Sequence, residues 1–127
     1  MNHDIKELLT LAAKACGYTL VWGEAYRVGD DIVDCTDMPY IKSDSPDEFD
    51  AYWTPHLDDG DCFRMETDMV VSVIWKKHHV SGFCRPDLGA TEIEIFCHEK
   101  YKDHNGDKNA ARKLASLRAV AELGRRM

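Results

Sequence analysis

Residues 52–75 read YWTPHLDDGDCFRMETDMVVSVIW, and the order of signals within this stretch decides the fold class. The aromatic pair Tyr52-Trp53 and then Thr54-Pro55 lead into three acids, Asp58, Asp59 and Asp61. Asp58 or Asp59 is placed to cap a short helix over about residues 60–67, because an aspartate oxygen accepts from the orphan amides of a first turn. Carboxylates at a helix N-terminus also complement the macrodipole, by ~0.3–1 kcal/mol each at an exposed site. The Asp-Asp-Gly-Asp run lacks the alternating spacing and downstream glutamate of a calcium loop, so it reads as capping. The apolar run from Met69 to Trp75 then predicts a central, buried strand. With a helix and strands before this stretch and strands and a closing helix after it, the order helix, strands, short helix, strands, helix points to the α+β class.

Toward the N-terminus, Asp4 and Glu7 have capping-box spacing. Ile5, Leu8, Leu9, Ala12 and Cys16 recur on one face of a helix over about residues 5–16, and Gly17 stands where a left-handed C-cap is expected. Residues 18–22, YTLVW, are β-branched and aromatic and predict a strand. Gly23-Glu24 and Gly29-Asp30-Asp31 are turn signals around a segment, Ala25 to Val28, that pairs back; Ile32 to Cys35 is a further short strand. From Thr36 to Asp50, Pro39, Pro46 and a run of Ser and Asp predict an exposed irregular loop.

Toward the C-terminus, Lys76-Lys77-His78-His79 marks a basic turn. Val80 to Cys84 is its hairpin partner, with Gly82 as a bulge candidate. Thr91 to His98 alternates cleanly: Ile93, Ile95 and Cys97 share one face, and Glu92, Glu94, Phe96 and His98 the other. A polar loop over 99–106 leads to Asp107, which caps a helix over about residues 108–125. Ala111, Leu114, Leu117, Ala121 and Gly124 make its buried stripe; Arg112, Lys113, Arg118, Arg125 and Arg126 are assigned to its exposed surface. The whole is read as one α+β domain over residues 1–127, a mostly antiparallel sheet of about 4–5 strands carrying an N-terminal helix, a short middle helix and a long C-terminal helix.

The 127 residues carry a net charge of −7, unevenly spread. Residues 24–68 hold 14 acids against 3 bases, whereas residues 69–127 hold 11 bases against 7 acids. An acidic middle argues against phosphate-backbone binding through that face and suits a basic surface on a partner protein. The five cysteines (Cys16, Cys35, Cys62, Cys84 and Cys97) are odd in number and show no CxxC spacing, a pattern of a reducing cytosol rather than a disulfide scaffold. No apolar run approaches the ~20 residues of a membrane span. The charged start MNHDIKELL is not a secretory signal.

Candidate chemistry is sparse. Asp47, Glu48, Asp50, Asp58, Asp59 and Asp61 form the candidate acidic binding face. Trp53 is its best exposed-anchor candidate, since aromatics dominate interface hot spots, although core packing is favoured for it as for Trp22 and Trp75. Arg112, Lys113 and Arg118 are the candidate basic face for nucleic acid, without interleaved aromatics. His79, Cys84 and His98 lie on adjacent predicted strands as a zinc-ligand alternative, but no ligands are paired two to four residues apart, and no metal or cofactor is assigned. Cys62 with His56 is weighed as a nucleophile and base; the flanking aspartates oppose a thiolate, and no catalytic residue is assigned.

Two segments carry a resemblance. YWTPHLDDGDCFRM resembles a W-x-P-x-x-D-D-G-D-A-x-R-L segment of small proteins encoded by tailed phages and prophages, and ARKLASLRAVAELGRRM resembles the alanine-rich, arginine-bearing helix that closes them. GYTLVWGE fits their early strand. The element order is similar to the phage ABA-sandwich domain and, more loosely, to the lambda-type NinX proteins. Cys62 and Met65 stand where Ala and Leu are expected, a change of packing only. The resemblance implies a small non-structural accessory protein of uncharacterised function in the cytoplasm of a host bacterium, non-enzymatic, of a kind that often acts by binding a host or defence protein; with the acidic middle, inhibition of such a protein is the concrete reading. It carries over no catalytic residues. A His/Cys enzyme or metal-binding domain around residues 78–98, and a homodimeric nucleic-acid regulator using the basic helix, are the alternatives.

Overall fold

A computed structural model describes residues 3–42, 51–84, 87–88, 91–92 and 94–127. In chain order the elements are α1 (His3–Cys16), β1 (Leu20–Trp22), β2 (Tyr26–Val28), β3 (Asp31–Val33), β4 (Pro39–Ile41), β5 (Ala51–Tyr52), α2 (Asp59–Asp68), β6 (Ser72–Trp75), β7 (His79–Cys84), β8 (Asp87–Leu88), β9 (Thr91–Glu92), β10 (Ile95–Lys100), a 3₁₀ turn (Tyr101–His104) and α3 (Lys108–Arg125). This is an α+β fold, with three α-helices and antiparallel strand pairs among the described residues. The strands are grouped more finely than in one sheet of four or five. They form two three-stranded sheets, β1-β4-β5 and β10-β7-β6, and the two-stranded ribbons β2-β3 and β8-β9.

The helix ends follow the local chemistry of the sequence. Gly17 adopts φ +76° and closes α1 with two amide bonds, Gly17 N to the Lys14 carbonyl and Tyr18 N to the Ala13 carbonyl. Asp4 lies inside the first turn rather than at the cap, where its charge still favours the macrodipole. Asp58 caps α2 by accepting from Asp61 N at 2.8 Å, and Asp107 caps α3 by accepting from Ala110 N at 3.0 Å. Past the Met69 C-cap of α2, Val70 is held at φ +53°, a left-handed conformation that a β-branched residue takes only at a cost.

That closing turn corrects the expectation of a strand from Met69 to Trp75. The strand starts at Ser72, after the turn, and β6 lies at the edge of its sheet; β7 is the central strand. The edge position leaves Trp75 exposed, against its assignment to the core. A second correction concerns the loop from Thr36 onward. Its residues Pro39–Ile41 form the middle strand of the first sheet, pairing Val21 with Tyr40 and Tyr40 with Tyr52. Pro39 is tolerated there because it opens the strand and contributes its carbonyl, which accepts from Trp53 N at 3.0 Å. The remainder of that loop, residues 43–50, lies outside the described residues.

Helix α3 is the centre of the fold. Leu117, Val120 and Ala121 pack with Leu9, Ala12 and Ala13 of α1, with Cys62 and Met65 of α2, and with Trp53. Its other side meets the second sheet: Ala111 and Ala115 against Val80 and Tyr101, and Ala119 and Leu123 against Cys84 and Ile95. Each fully buried Leu or Met contributes roughly 1.5–3 kcal/mol of transfer free energy. Small residues set how closely the layers approach. Gly82 is not a bulge; it is paired in register with Val73 and Cys97, and a Cβ there would lie 2.7 Å from the Ala115 carbonyl oxygen of α3. At Gly124 an added Cβ would collide with the Leu11 carbonyl of α1. Both glycines let backbone meet backbone.

Candidate interaction surfaces

The acids of the Asp58–Asp61 run are built into the fold. Beyond the Asp58 cap, Asp59 accepts from Asn109 Nδ2 at 2.8 Å and pairs with Lys113 Nζ at 3.0 Å. The Lys113 and Asn109 hydrogen bonds hold its carboxyl below the usual range. Asp61 is buried; its Oδ2 accepts from Thr54 N at 2.9 Å and its Oδ1 from Arg64 Nη2 at 2.6 Å. Trp53 is 3% exposed and sits edge-on to Tyr18 with ring centroids 5.7 Å apart, so it belongs to the core and presents no anchor to a partner. Asp47, Glu48 and Asp50 lie outside the described residues.

The acidic middle does present a different surface. Strands β2 and β3 pair Tyr26 with Val33, Arg27 with Ile32 and Val28 with Asp31, and the ribbon joins neither three-stranded sheet. Gly29 takes φ +63° at the first position of the two-residue loop, as a type II′ turn needs. Tyr26, Val28 and Ile32 are 54%, 57% and 68% exposed. Glu24, Asp30 and Asp31 beside them are exposed and make no ion pair among the described residues, whereas Asp34 is tied to Thr36 and Asp37 to Lys6. The alternation of Tyr26 and Val28 around Arg27, beside a Gly-Asp turn, was the available sequence signal for this ribbon; nothing local in it told that both of its faces stay exposed.

The basic-helix candidates separate. Arg112 pairs with buried Glu66, whose Oε2 also accepts from Ser116 Oγ at 2.6 Å, and Lys113 donates to the Leu57 carbonyl at 3.0 Å besides holding Asp59. Both are largely covered, against their assignment to the exposed surface, because α3 is packed on two sides instead of one. Arg118 is half-exposed and pairs with Glu99 at 3.1 Å. The three do not make one cationic face.

The histidine and cysteine groups are likewise divided. His79 and Cys84 are five residues apart on β7, which sends them to opposite faces. Cys84 is buried with its Sγ against the Ala119 carbonyl, while His79 and His98 meet edge-on at 5.5 Å on the other face. Among the described residues no three His, Cys, Asp or Glu groups are gathered to hold a metal ion. Burial and then Glu66 push the Cys62 thiol up to about 12, and burial with Cys97 pushes Cys84 up to about 11; neither is poised as a thiolate. Ser81 Oγ lies 2.5 Å from His98 Nδ1, a serine–histidine contact, but Ser81 is almost fully buried and among the described residues no carboxylate contacts His98 to orient it as a base. No family model, curated relative or solved structure matches the chain.

Proposed function

We propose that this chain is a phage- or prophage-encoded accessory protein that acts by binding, and inhibits a host or defence protein through its acidic middle. The observation that carries the reading is the β2-β3 ribbon: Tyr26 and Val28 are exposed on one face and Ile32 on the other, with Glu24, Asp30 and Asp31 exposed beside them. A two-stranded ribbon is marginal on its own in water, and exposed apolar groups rimmed by charge mark a protein contact. Free carboxylates around them select a basic partner surface and raise its on-rate. The phage origin rests on the resemblance of residues 52–65 and 111–127.

The test compares tagged wild-type protein with a Tyr26→Ser/Ile32→Ser variant in lysate of a bacterial host. One host protein captured near stoichiometry by the wild type, released by salt and lost with the variant supports the reading. Equal capture by the variant, or a complex indifferent to salt, overturns it. Both substitutions are at exposed sites, so folding stays within about 0.5 kcal/mol of wild type.

A further inference from the structure

Sheet β10-β7-β6 turns one face to α3 through Val80, Cys84 and Ile95. The register puts a different set on the other face: Phe83 opposite Phe96, Ser81 opposite His98, and His79 opposite Lys100. Phe96 is 48% exposed, and His98 and Lys100 are exposed beside it. The rings are ordered. Phe96 lies 4.4 Å from Phe83 at 31° and 6.3 Å from His98 with only 18° between the planes, so the exposed Phe96 and His98 rings stand nearly parallel two residues apart. The Ser81 hydroxyl fixes the His98 imidazole, and His79 abuts it edge-on.

At the Lys100 end this face runs into a cavity of about 370 Å³ lined by His78, His79, Lys100, Tyr101 and Lys102. Among the described residues no carboxylate lines it. Lys100 and Lys102 make no ion pair among the described residues, and the Tyr101 hydroxyl is spent on the Lys76 carbonyl. Glu99 and Asp103 flank the 100–102 segment: Glu99 points to the helix side and is held by Arg118 and His104, and Asp103 is exposed beside Lys102. Glu94, which shares the open face, stands at the opposite end of the strand. His79 belongs to both the ring array and the cavity, which makes them one surface.

We infer that this face binds single-stranded nucleic acid, with bases stacked on Phe96 and His98 and a backbone phosphate in the His78–Lys102 cavity. Flat rings with accessible π-faces beside a cationic cleft combine the two groups that unpaired strands offer, and base stacking is tolerant of sequence. A duplex hides its bases from such a platform, and a purely apolar protein partner leaves the lysine cavity unmatched. The surface is distinct from the acidic ribbon, and its charge is opposite.

The experiment is a fluorescence-anisotropy titration of the full chain against labelled 12-mers of deoxythymidine and of uridine, an abasic 12-mer and a 12-base-pair duplex. Saturable binding to at least one of the two base-bearing single strands, tighter than to the abasic strand and the duplex, is expected. Affinity falls about 7- to 20-fold between 50 and 200 mM salt if two or three phosphates are neutralised. Phe96→Ala weakens it by about 10-fold or more and Phe96→Tyr restores it. Lys100→Ala/Lys102→Ala flattens the salt dependence. Circular dichroism confirms that each variant is folded. Absence of saturable binding to both base-bearing strands, equal affinity for the abasic strand, or wild-type affinity in folded Phe96→Ala overturns the inference.

Discussion

Arg112 of α3 grips Glu66 of α2 through two hydrogen bonds, Nη2 to Oε1 at 2.8 Å and Nε to Oε2 at 3.3 Å. Both side chains are mostly covered, so the pair is worth less as an attraction than it costs to break. Arg112→Ala leaves a buried carboxylate with only the Ser116 hydroxyl and the Cys62 thiol to satisfy it among the described residues. The expected loss is about 3 kcal/mol, toward the lower end of what breaking a buried pair costs. Arg118→Ala removes only a half-exposed partner of Glu99 and stays within about 1 kcal/mol. Urea unfolding midpoints of the two variants side by side decide this; equal midpoints reject the buried role of Arg112.

The glycine contacts predict a second asymmetry. Gly124→Ala drives a methyl group into the Leu11 backbone, and Gly82→Ala drives one into the Ala115 backbone. Neither neighbour is the far end of a flexible side chain, so the layers must part. Each variant is expected to lose about 1–3 kcal/mol, as overpacked cores do. Gly29→Ala, with nothing near its added Cβ, suffers only the strain of φ +63°, about 1 kcal/mol. Thermal midpoints ranked with Gly29→Ala highest would bear this out; a Gly124→Ala protein as stable as wild type would show that α1 and α3 are not in backbone contact.

What could be read in the sequence divides by range. Asp58, Asp107 and Gly17 act within four residues of themselves, and the caps they predict are present. Strand partners are not local: β1 pairs with β4 across an intervening ribbon, and nothing in YTLVW names Pro39–Ile41 as its mate. The run Met69–Trp75 is apolar but for Ser72, yet a left-handed turn at Val70 divides it, a break that composition does not carry. Arg112 and Lys113 were misplaced because a helical wheel assumes one buried side. The alternation that set Phe96 and His98 on one face of their strand was fully legible; their approach to Phe83 and His79 needed the register.

His56 gives the pH dependence. It is half-buried, its Nδ1 lacks a hydrogen-bond partner among the described residues, and burial, then Lys113, lowers its pKa below the ordinary 6.5. The unfolded chain therefore binds a proton at pH values where the folded chain does not, and stability rises with pH through that interval. The contribution is complete above about pH 6.5 and is lost as pH falls toward the folded value. Asp34, Asp37 and Asp59, all lowered from 3.8, remain ionised in this range and act only in stronger acid. The thermal midpoint should drop between pH 7.5 and 5.5 by more in wild type than in His56→Gln. Parallel slopes would remove His56 as a source.

The Asp58-Asp59-Gly60-Asp61 run yields the last prediction, because three chemically identical groups have three different roles. Asp61 is buried and satisfies the Thr54 amide, so Asp61→Ala leaves that donor and the Arg64 fork without their acceptor and costs about 1–3 kcal/mol. Asp58→Ala removes a helix cap, about 1 kcal/mol. Asp59 is exposed, and its ties to Asn109 and Lys113 are screened by solvent, so Asp59→Ala is the mildest of the three. If the run were instead one solvated acidic patch, removing any of the three would relieve repulsion and stabilise the fold slightly. Denaturant midpoints of the three alanine variants separate the cases, since the order Asp61, Asp58, Asp59 in decreasing damage follows only from the capping and anchoring geometry.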